Sequence, residues 1–350
     1  MMKLVAIFIY IAKISLIEVC FMGEKLDSVE LIDTFETFFK DYRDSKGQKY
    51  KNMINNMIIE NKTSLEVSFN DLLNYDYKVA QQLLTFPQEV IGAANKGLSN
   101  YIKKIDTDFW SLAKPFFVRF VDLMRVENID TLSSKSLGKL IQVRATVTKV
   151  KQVTPILYEG RFKCMKCGTI LSELASDYKL TWPAMCKNPE CQSKGPFHFL
   201  ENDSIYLDSQ IIQLGESSIN GKRQIEGRLI GDIVNSISKG DLVMAVGILK
   251  VRVFYKQEDY HKEGERSEFR FWIDINSIRR IKTAADKKIH LQKLILKLLE
   301  RYPQGFPLDF LYYIGRSESI LNKEIYQFVN ELKFEGKLKI KKGYIVELSV

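Results

Sequence analysis

Two cysteine pairs constrain this chain more tightly than any other feature. Cys164 and Cys167 form a C-x2-C pair, Cys186 and Cys191 a C-x4-C pair, and eighteen residues separate the pairs. Each pair is short enough for two thiolates to reach one ion, and four thiolates satisfy the tetrahedral preference of Zn²⁺. Gly168 follows the first pair and Lys187-Asn188-Pro189-Glu190 loops inside the second, so each half reads as a knuckle. Two disulfides, or four unrelated core thiols, would draw on the same residues. Disulfides need an oxidising compartment, and nothing later in the chain reads as secreted. The spacing therefore predicts one structural Zn²⁺ per chain, held by Cys164, Cys167, Cys186 and Cys191 in a zinc ribbon over residues 162–199. Four protein ligands leave no open position for water, so such an ion holds a fold and performs no chemistry. Cys20 lies outside the cluster.

The ribbon sits between strand patterns. Before it, LGKLIQVRATVTKVKQVTP (137–155) alternates apolar and polar residues. After it come YLDSQIIQL (206–214) and GDLVMAVGIL (240–249), with further strands expected at 225–233 and 269–275. Five or so short strands around an inserted ribbon fit an oligonucleotide/oligosaccharide-binding (OB) fold, a Greek-key barrel. With the "LGKLI" strand, the four-cysteine ribbon, "DSQIIQ" and "KGDLV-AVGIL" in this order, the chain resembles the N-terminal region of the minichromosome maintenance (MCM) proteins, ring-forming replicative helicases. The resemblance covers residues 28–282.

At 350 residues there is room for two or three domains, and 45% apolar content is ample for real cores. The formal net charge of +9 favours a polyanionic partner without establishing one. Residues 1–21 carry only nine apolar residues, Leu4 to Ala12, before Lys13, too few for a spanning helix, and no small-x-small cleavage site follows. They read as a mis-annotated leader with the true start at Met22, or as a monotopic anchor. Residues 22–114 read as a helical subdomain: Val29, Leu31, Ile32, Phe35, Phe38 and Phe39 recur at helix spacing. A helix carries Leu72 to Leu84, another covers 89–105, and SLEVSFNDL (64–72) suits a short strand. Alternation from Phe117 to Val121 opens the barrel, placed at 115–281.

OB barrels bind single strands with a basic groove and stacking aromatics. Arg144, Lys149, Lys151 and Arg161 are the groove candidates, on strands flanking the ribbon where the resemblance implies single-strand contacts; a solvated strand face would look the same. Residues 250–275 read as a long β-hairpin, which the resemblance implies would point Lys256, His261, Lys262, Arg266 and Arg270 into a ring channel. Five acids, Glu258, Asp259, Glu263, Glu265 and Glu268, nearly cancel that charge. The family's proline-bearing loop before the hairpin is replaced by residues 215–223 without proline, and only Arg223 survives of its Pro-Arg ending.

Residues 282–288 read as a linker and 289–350 as a winged helix of three helices and a two-stranded wing. The third helix shows a mixed face of Lys323, Glu324, Gln327, Asn330, Glu331 and Lys333, a poor reader of the major groove. The wing, with Lys339, Lys341 and Lys342, is the better phosphate contact; DNA and protein both remain open as its partner. No G-x-x-x-x-G-K-[ST] loop is present to cradle phosphates, and the three histidines share no motif, so no enzyme is expected. The reading is an α+β multidomain chain: helical bundle, OB-fold β-barrel with inserted zinc ribbon and long β-hairpin, and C-terminal winged helix. It would bind single-stranded DNA in replication, with double-stranded DNA as a further candidate partner, as a homo-oligomer (hexamer) or in complex with a full-length MCM, in a nucleus or a nucleoid and without a membrane. A non-enzymatic adaptor docking on replication or transcription proteins is the alternative.

Overall fold

A computed structural model describes residues 25–175, 178–215, 223–254, 268–281, 284–317, 322–341 and 343–348. The leader, Cys20, residues 216–222, the hairpin tip with Lys256, His261, Lys262 and Arg266, and Lys342 lie outside them. The chain divides into two compact units, the second comprising Gly240–Met244 and Arg279–Val350.

Helix α1, Ser28–Asp41, is started by Asp27, whose carboxylate accepts from the backbone N–H groups of Val29 and Glu30. Glu30 reaches back to the Asp27 N–H, so two orphan amides are satisfied reciprocally. The apolar stripe buries Leu31, Phe35, Phe38 and Phe39, while Ile32 is half-buried and Val29, in the first turn, is exposed against the expectation from its spacing. A tight hairpin of β1 (Arg43–Asp44) and β2 (Gly47–Gln48) precedes α2, Lys49–Ile59. Strand β3, Ser64–Ser68, then leads to α3 (Phe69–Tyr75) and α4 (Tyr77–Thr85). The stretch from Leu72 to Leu84 is thus two helices, because Asp76 leaves helical geometry and caps α4 with its side chain. Helix α5, Pro87–Ile105, packs on α1, and α6 covers Thr107–Ala113. Gly97 permits that packing: a Cβ there would stand 3.0 Å from the Phe35 Cβ.

Asp71 ties this bundle together. Its carboxylate accepts from Tyr42 Oη at 2.9 Å, Tyr50 Oη at 2.6 Å and Lys49 Nζ at 2.6 Å. Burial alone would raise the Asp71 carboxyl, but the hydrogen bonds from Lys49, Tyr50 and Tyr42 outweigh it and hold it below its ordinary value. A depressed folded pKa stabilises above the unfolded value and loses that contribution as pH falls through the folded one. Acid should therefore weaken the bundle below about pH 4. Asp71→Asn should remove that acid-dependent part and cost about 1–3 kcal/mol at neutral pH. Urea melts at several pH values check it; an unchanged pH profile in the variant would contradict it.

Strand β4, Phe117–Val121, pairs in parallel with β3. This corrects its assignment to the barrel: a strand bonded to β3 belongs to the helical side, so the division falls after Val121 rather than at 115. Side-chain amides complete its edge. Asn276 Oδ1 accepts from Phe120 N at 2.7 Å and its Nδ2 donates to Val118 O at 2.9 Å, while Gln142 accepts from Leu123 N at 3.0 Å. These amides imitate the neighbour that a two-stranded sheet lacks.

Strand β5 runs unbroken from Leu140 to Cys164, carrying the barrel directly into the cysteine region. There β6 (Ile170–Leu174) and β7 (Phe197–Phe199) pair with its outer end. Strands β8 (Ile205–Gly215), β9 (Gln224–Ile230), β10 (Leu242–Phe254) and β11 (Glu268–Arg280) complete the sheet. Their order is β10-β11-β9-β8-β5, and β10 also pairs with β5, which closes a five-stranded OB-like barrel. Val143, Ala145, Val147, Ile212, Leu214 and Ile273 are buried within it. Gly247 lets β10 meet β11, since a Cβ there would lie 2.5 Å from Asp274 O.

The second unit contains α7 (Ala284–Arg301), β12 (Phe306–Pro307), α8 (Leu308–Ser317), α9 (Asn322–Phe334), β13 (Leu338–Lys341) and β14 (Tyr344–Leu348). The sheet order is β12-β14-β13, and the core includes Leu291, Ile295, Phe306, Leu311, Ile325, Leu332 and Ile345. Helix α7 begins at Ala284, inside the span read as a linker. Its polar first turn hid it, because Asp286, Lys287 and Lys288 break the apolar period. No helix among the described residues is long and apolar enough to cross a membrane.

Candidate functional site

The four cysteines converge at the outer end of β5. Their sulfur atoms all lie within 4.8 Å of one another, with Cys164–Cys191 at 3.9 Å and Cys167–Cys186 at 3.6 Å. All four thiols are free, and these distances are far from a disulfide bond of about 2.05 Å. In a tetrahedron of Zn–S bonds of about 2.3 Å the sulfurs stand about 3.8 Å apart, so the set is spaced for one such ion. Two knuckles aim them: Gly168 N donates to Cys164 O at 2.8 Å, and Gln192 N to Asn188 O at 3.1 Å. Gly168 takes φ +76°, which a glycine adopts freely. Hydrogen bonding with the Thr169 side chain and backbone holds the Cys167 thiol down at about 6, whereas Cys186 and Cys191, each despite one backbone hydrogen bond, are raised by burial and the neighbouring thiols.

A second site lies on the barrel. Lys149 pairs with Gln213, Gln213 with Glu226, and Glu226 with Trp272, forming one row across β5, β8, β9 and β11. Residues directly opposite on paired strands share a face of the sheet. Along this row runs a cleft of about 280 Å³ whose lining includes Arg223, Arg252, Phe269, Arg270 and Trp272. Lys151 joins its rim through an ion pair with Glu226 at 2.7 Å, and Arg252 stands 3.7 Å from the same carboxylate. Glu226 thus pairs with Lys151 and Arg252, Arg223 and Arg270 line the same cleft, and the local balance is positive. The Arg252 guanidinium lies over the Trp272 ring at 5.1 Å, and Phe269 is 64% exposed, leaving its ring face open to a flat ligand.

The sequence candidates therefore separate. Arg223 and Arg270 line the cleft, Lys151 reaches its rim through Glu226, and Lys149 lies on the same row of the sheet opposite Gln213. Arg223 is also structural, donating to the Leu132 carbonyl at 3.1 Å. Arg144 is exposed elsewhere on β5, and Arg161 is half-buried on the segment that pairs with β6. Lys339 pairs with Glu347 at 3.2 Å in the second unit, where Lys341 is exposed. Arg252, Phe269 and Trp272 were missed. They sit on the two hairpin arms, and only the pairing of β11 with β9 brings them beside Glu226. The "DSQIIQ" motif proves structural: Gln210 is buried, donating to Lys151 O at 3.1 Å and accepting from Asn235 N at 2.9 Å.

The MCM N-terminal domain family matches residues 33–122, and the MCM OB domain family matches residues 128–253. The DNA replication licensing factor Mcm6 of Anopheles gambiae is 26% identical over 222 residues, covering 62% of this chain and 27% of that protein. The zygotic DNA replication licensing factor mcm6 of Xenopus tropicalis is 29% identical over 225 residues, and the DNA replication licensing factor MCM2 of Oryza sativa subsp. japonica 27% identical over 224. The chain spans about a quarter of the length of these relatives. The crystal structure of the N-terminal domain of an archaeal MCM superposes with a TM-score of 0.60 at 23% identity, over 73% of this chain and all of that one. That likeness extends to the fold.

Proposed function

Because the chain belongs, over residues 33–253, to the MCM family, we propose that it binds single-stranded DNA on its barrel in the service of DNA replication. The observation that carries this reading is the cleft, lined by Arg223, Arg252 and Arg270 with Lys151 at its rim, one carboxylate, and an exposed phenylalanine. Phosphates are held by cations whatever the sequence, and bases stack on aromatic faces, so such a cleft suits a single strand better than a paired duplex. The four cysteines are read as a structural zinc ribbon, with the ion supplying fold energy and no reaction step. The second unit is read as a winged helix. Assembly into a hexameric ring, alone or with a complete MCM protein, follows from the family. The 350 residues contain no phosphate-cradling G-x-x-x-x-G-K-[ST] loop, so the chain is proposed to contribute binding rather than a motor of its own.

Titration of a fluorescent oligothymidylate at three salt concentrations tests the site. Lys149→Ala with Arg252→Ala should lower the salt slope by about 0.7 per lost phosphate contact. Phe269→Ala should weaken binding by about tenfold, within the range for one base–aromatic stack, while leaving the slope alone. Unchanged affinity and slope in both variants, with wild-type melting, would remove the cleft from the DNA path.

A further inference from the structure

The first unit holds a second cavity, of about 270 Å³, where helix α5 faces the barrel. Its apolar lining includes Ile91 of α5, Phe117 of β4, and Ile230, Ile248 and Ile275 from three barrel strands. The two cations of the lining are committed. Arg119 is held by Asp232 and three further oxygens, and Lys250 Nζ meets Asp274 Oδ2 at 2.8 Å. Arg228 shares Asp274 and lies over the rings of Tyr178 and Trp272, at 4.6 and 4.5 Å. An ion entering this space would give up its hydration without gaining an uncommitted counter-charge.

Two neutral donors of the lining are not committed. Asn95 Oδ1 accepts from Val118 N at 2.7 Å, which fixes the amide so that its NH2 group is the end left over. No hydrogen bond among the described residues uses that NH2 group or the Tyr158 hydroxyl. Every fully buried side-chain polar atom among those residues has a partner, so these two reach open space. Burial and the neighbouring Glu159 raise the Tyr158 phenol above its ordinary value, so it remains a donor at neutral pH. Gly92, also in the lining, leaves the space unfilled: a Cβ there would meet no atom within 4 Å.

We propose that this cavity binds an uncharged ring compound carrying carbonyl acceptors, the chemistry of a cyclic imide or lactam. The isoleucines and Phe117 take the ring, and the Asn95 amide and Tyr158 hydroxyl donate to its carbonyl oxygens. An apolar wall with a few placed polar groups is how small-molecule sites fix orientation, and this volume suits a compact ligand. A polyanion finds no uncommitted cation here, which separates this site from the single-strand cleft.

The full chain is tested with N-methylphthalimide, a flat neutral imide, against phthalate, which is charged, and indane, which lacks acceptors. Isoleucine methyl NMR reads the site directly. The imide should shift the methyls of Ile230, Ile248 and Ile275 with a Kd of about 1 mM, ordinary for a probe so small. Phthalate should shift none of them, and indane should bind at least about fivefold more weakly. Gly92→Leu puts a side chain into the open space and replaces a poor helix former, so melting should not fall while imide binding disappears. Tyr158→Phe removes one donor, and Asn95→Asp keeps the acceptor for Val118 N while removing the other. Each should weaken the imide by about five- to tenfold. Lys149→Ala with Arg252→Ala, at the cleft, should bind it as wild type does. The proposal fails if no methyl of the site moves at about 10 mM imide, or if phthalate or indane binds as tightly. It fails equally if Gly92→Leu leaves the titration unchanged, and, should that variant melt early, unchanged affinity in Tyr158→Phe and Asn95→Asp overturns it.

Discussion

Elemental analysis of the full chain is expected to return one zinc ion per polypeptide, and its removal should unfold residues 162–199. Those residues are fewer than the about 40 that usually need a metal or disulfides to fold alone. Their apolar cluster confirms how little else they have: Phe162 and Leu171 are buried with Cys164 and Cys186, and only Cys191, Phe197 and Phe199 pack partly against them. Trp182 adds one ring, 5.1 Å from Phe162. A structural zinc contributes about 10 kcal/mol or more in isolated modules, because binding and folding share one free energy. Cys186→Ser should therefore release the ion and raise hydrogen exchange throughout residues 162–199. The barrel beyond β5, with its own core, should keep its protection. Acidification acts in the same direction, since the ligands must be thiolates and protons compete with the ion. Purified protein free of metal, with residues 162–199 nonetheless protected, would overturn this reading.

Arg119→Leu is expected to cost about 2–5 kcal/mol, from two buried carbonyls left without a donor at about 1–3 kcal/mol each. Arg119 is 5% exposed and sits on β4. Its guanidinium donates to the carbonyls of Asn276 and Ile230, both at 2.9 Å, to Ser64 Oγ at 3.2 Å, and to the Asp232 carboxylate. These bonds join the β3–β4 sheet to the barrel. Burial pulls its pKa down, opposed by Asp232, but an arginine stays charged at any working pH. Leucine fills part of the space and satisfies none of the acceptors, so two buried carbonyls lose their donor. Asp232→Asn should cost less, because the cation keeps its three other oxygens. Because the loss comes mainly from the buried carbonyls and not from the exposed Asp232, added salt should change it little. Urea denaturation of both variants measures it; a cost below about 1 kcal/mol for Arg119→Leu would show that β4 is held by its apolar face instead.

Much of the fold is legible in the chain because its signals are local. The stripe from Leu31 to Phe39 and the alternation from Leu140 to Val147 describe single elements whose period states which face is buried. The cysteine spacing is local too, since each pair sits on one short turn. Elements went astray where a signal was interrupted. Asp76 splits a helix at one residue, and the charged turn 286–288 conceals the start of α7. Phe117–Val121 reads as a strand, but nothing in a strand names its partner.

The sequence by itself determined the cysteine cluster, the barrel strands and the helical cores, because residue type and spacing within a few turns set thiol reach and amphipathic period. Only the tertiary structure decided which charges remain available. Lys151 is drawn to Glu226 from across the sheet, Arg252 reaches the cleft because β10 closes the barrel, and Glu324 and Glu331 of α9, with Glu335 just past its end, turn toward Lys287 and Lys288. The lysine pairings among these join residues 37 or more positions apart. Coulomb attraction depends on distance in space, which a one-dimensional pattern of charges does not contain.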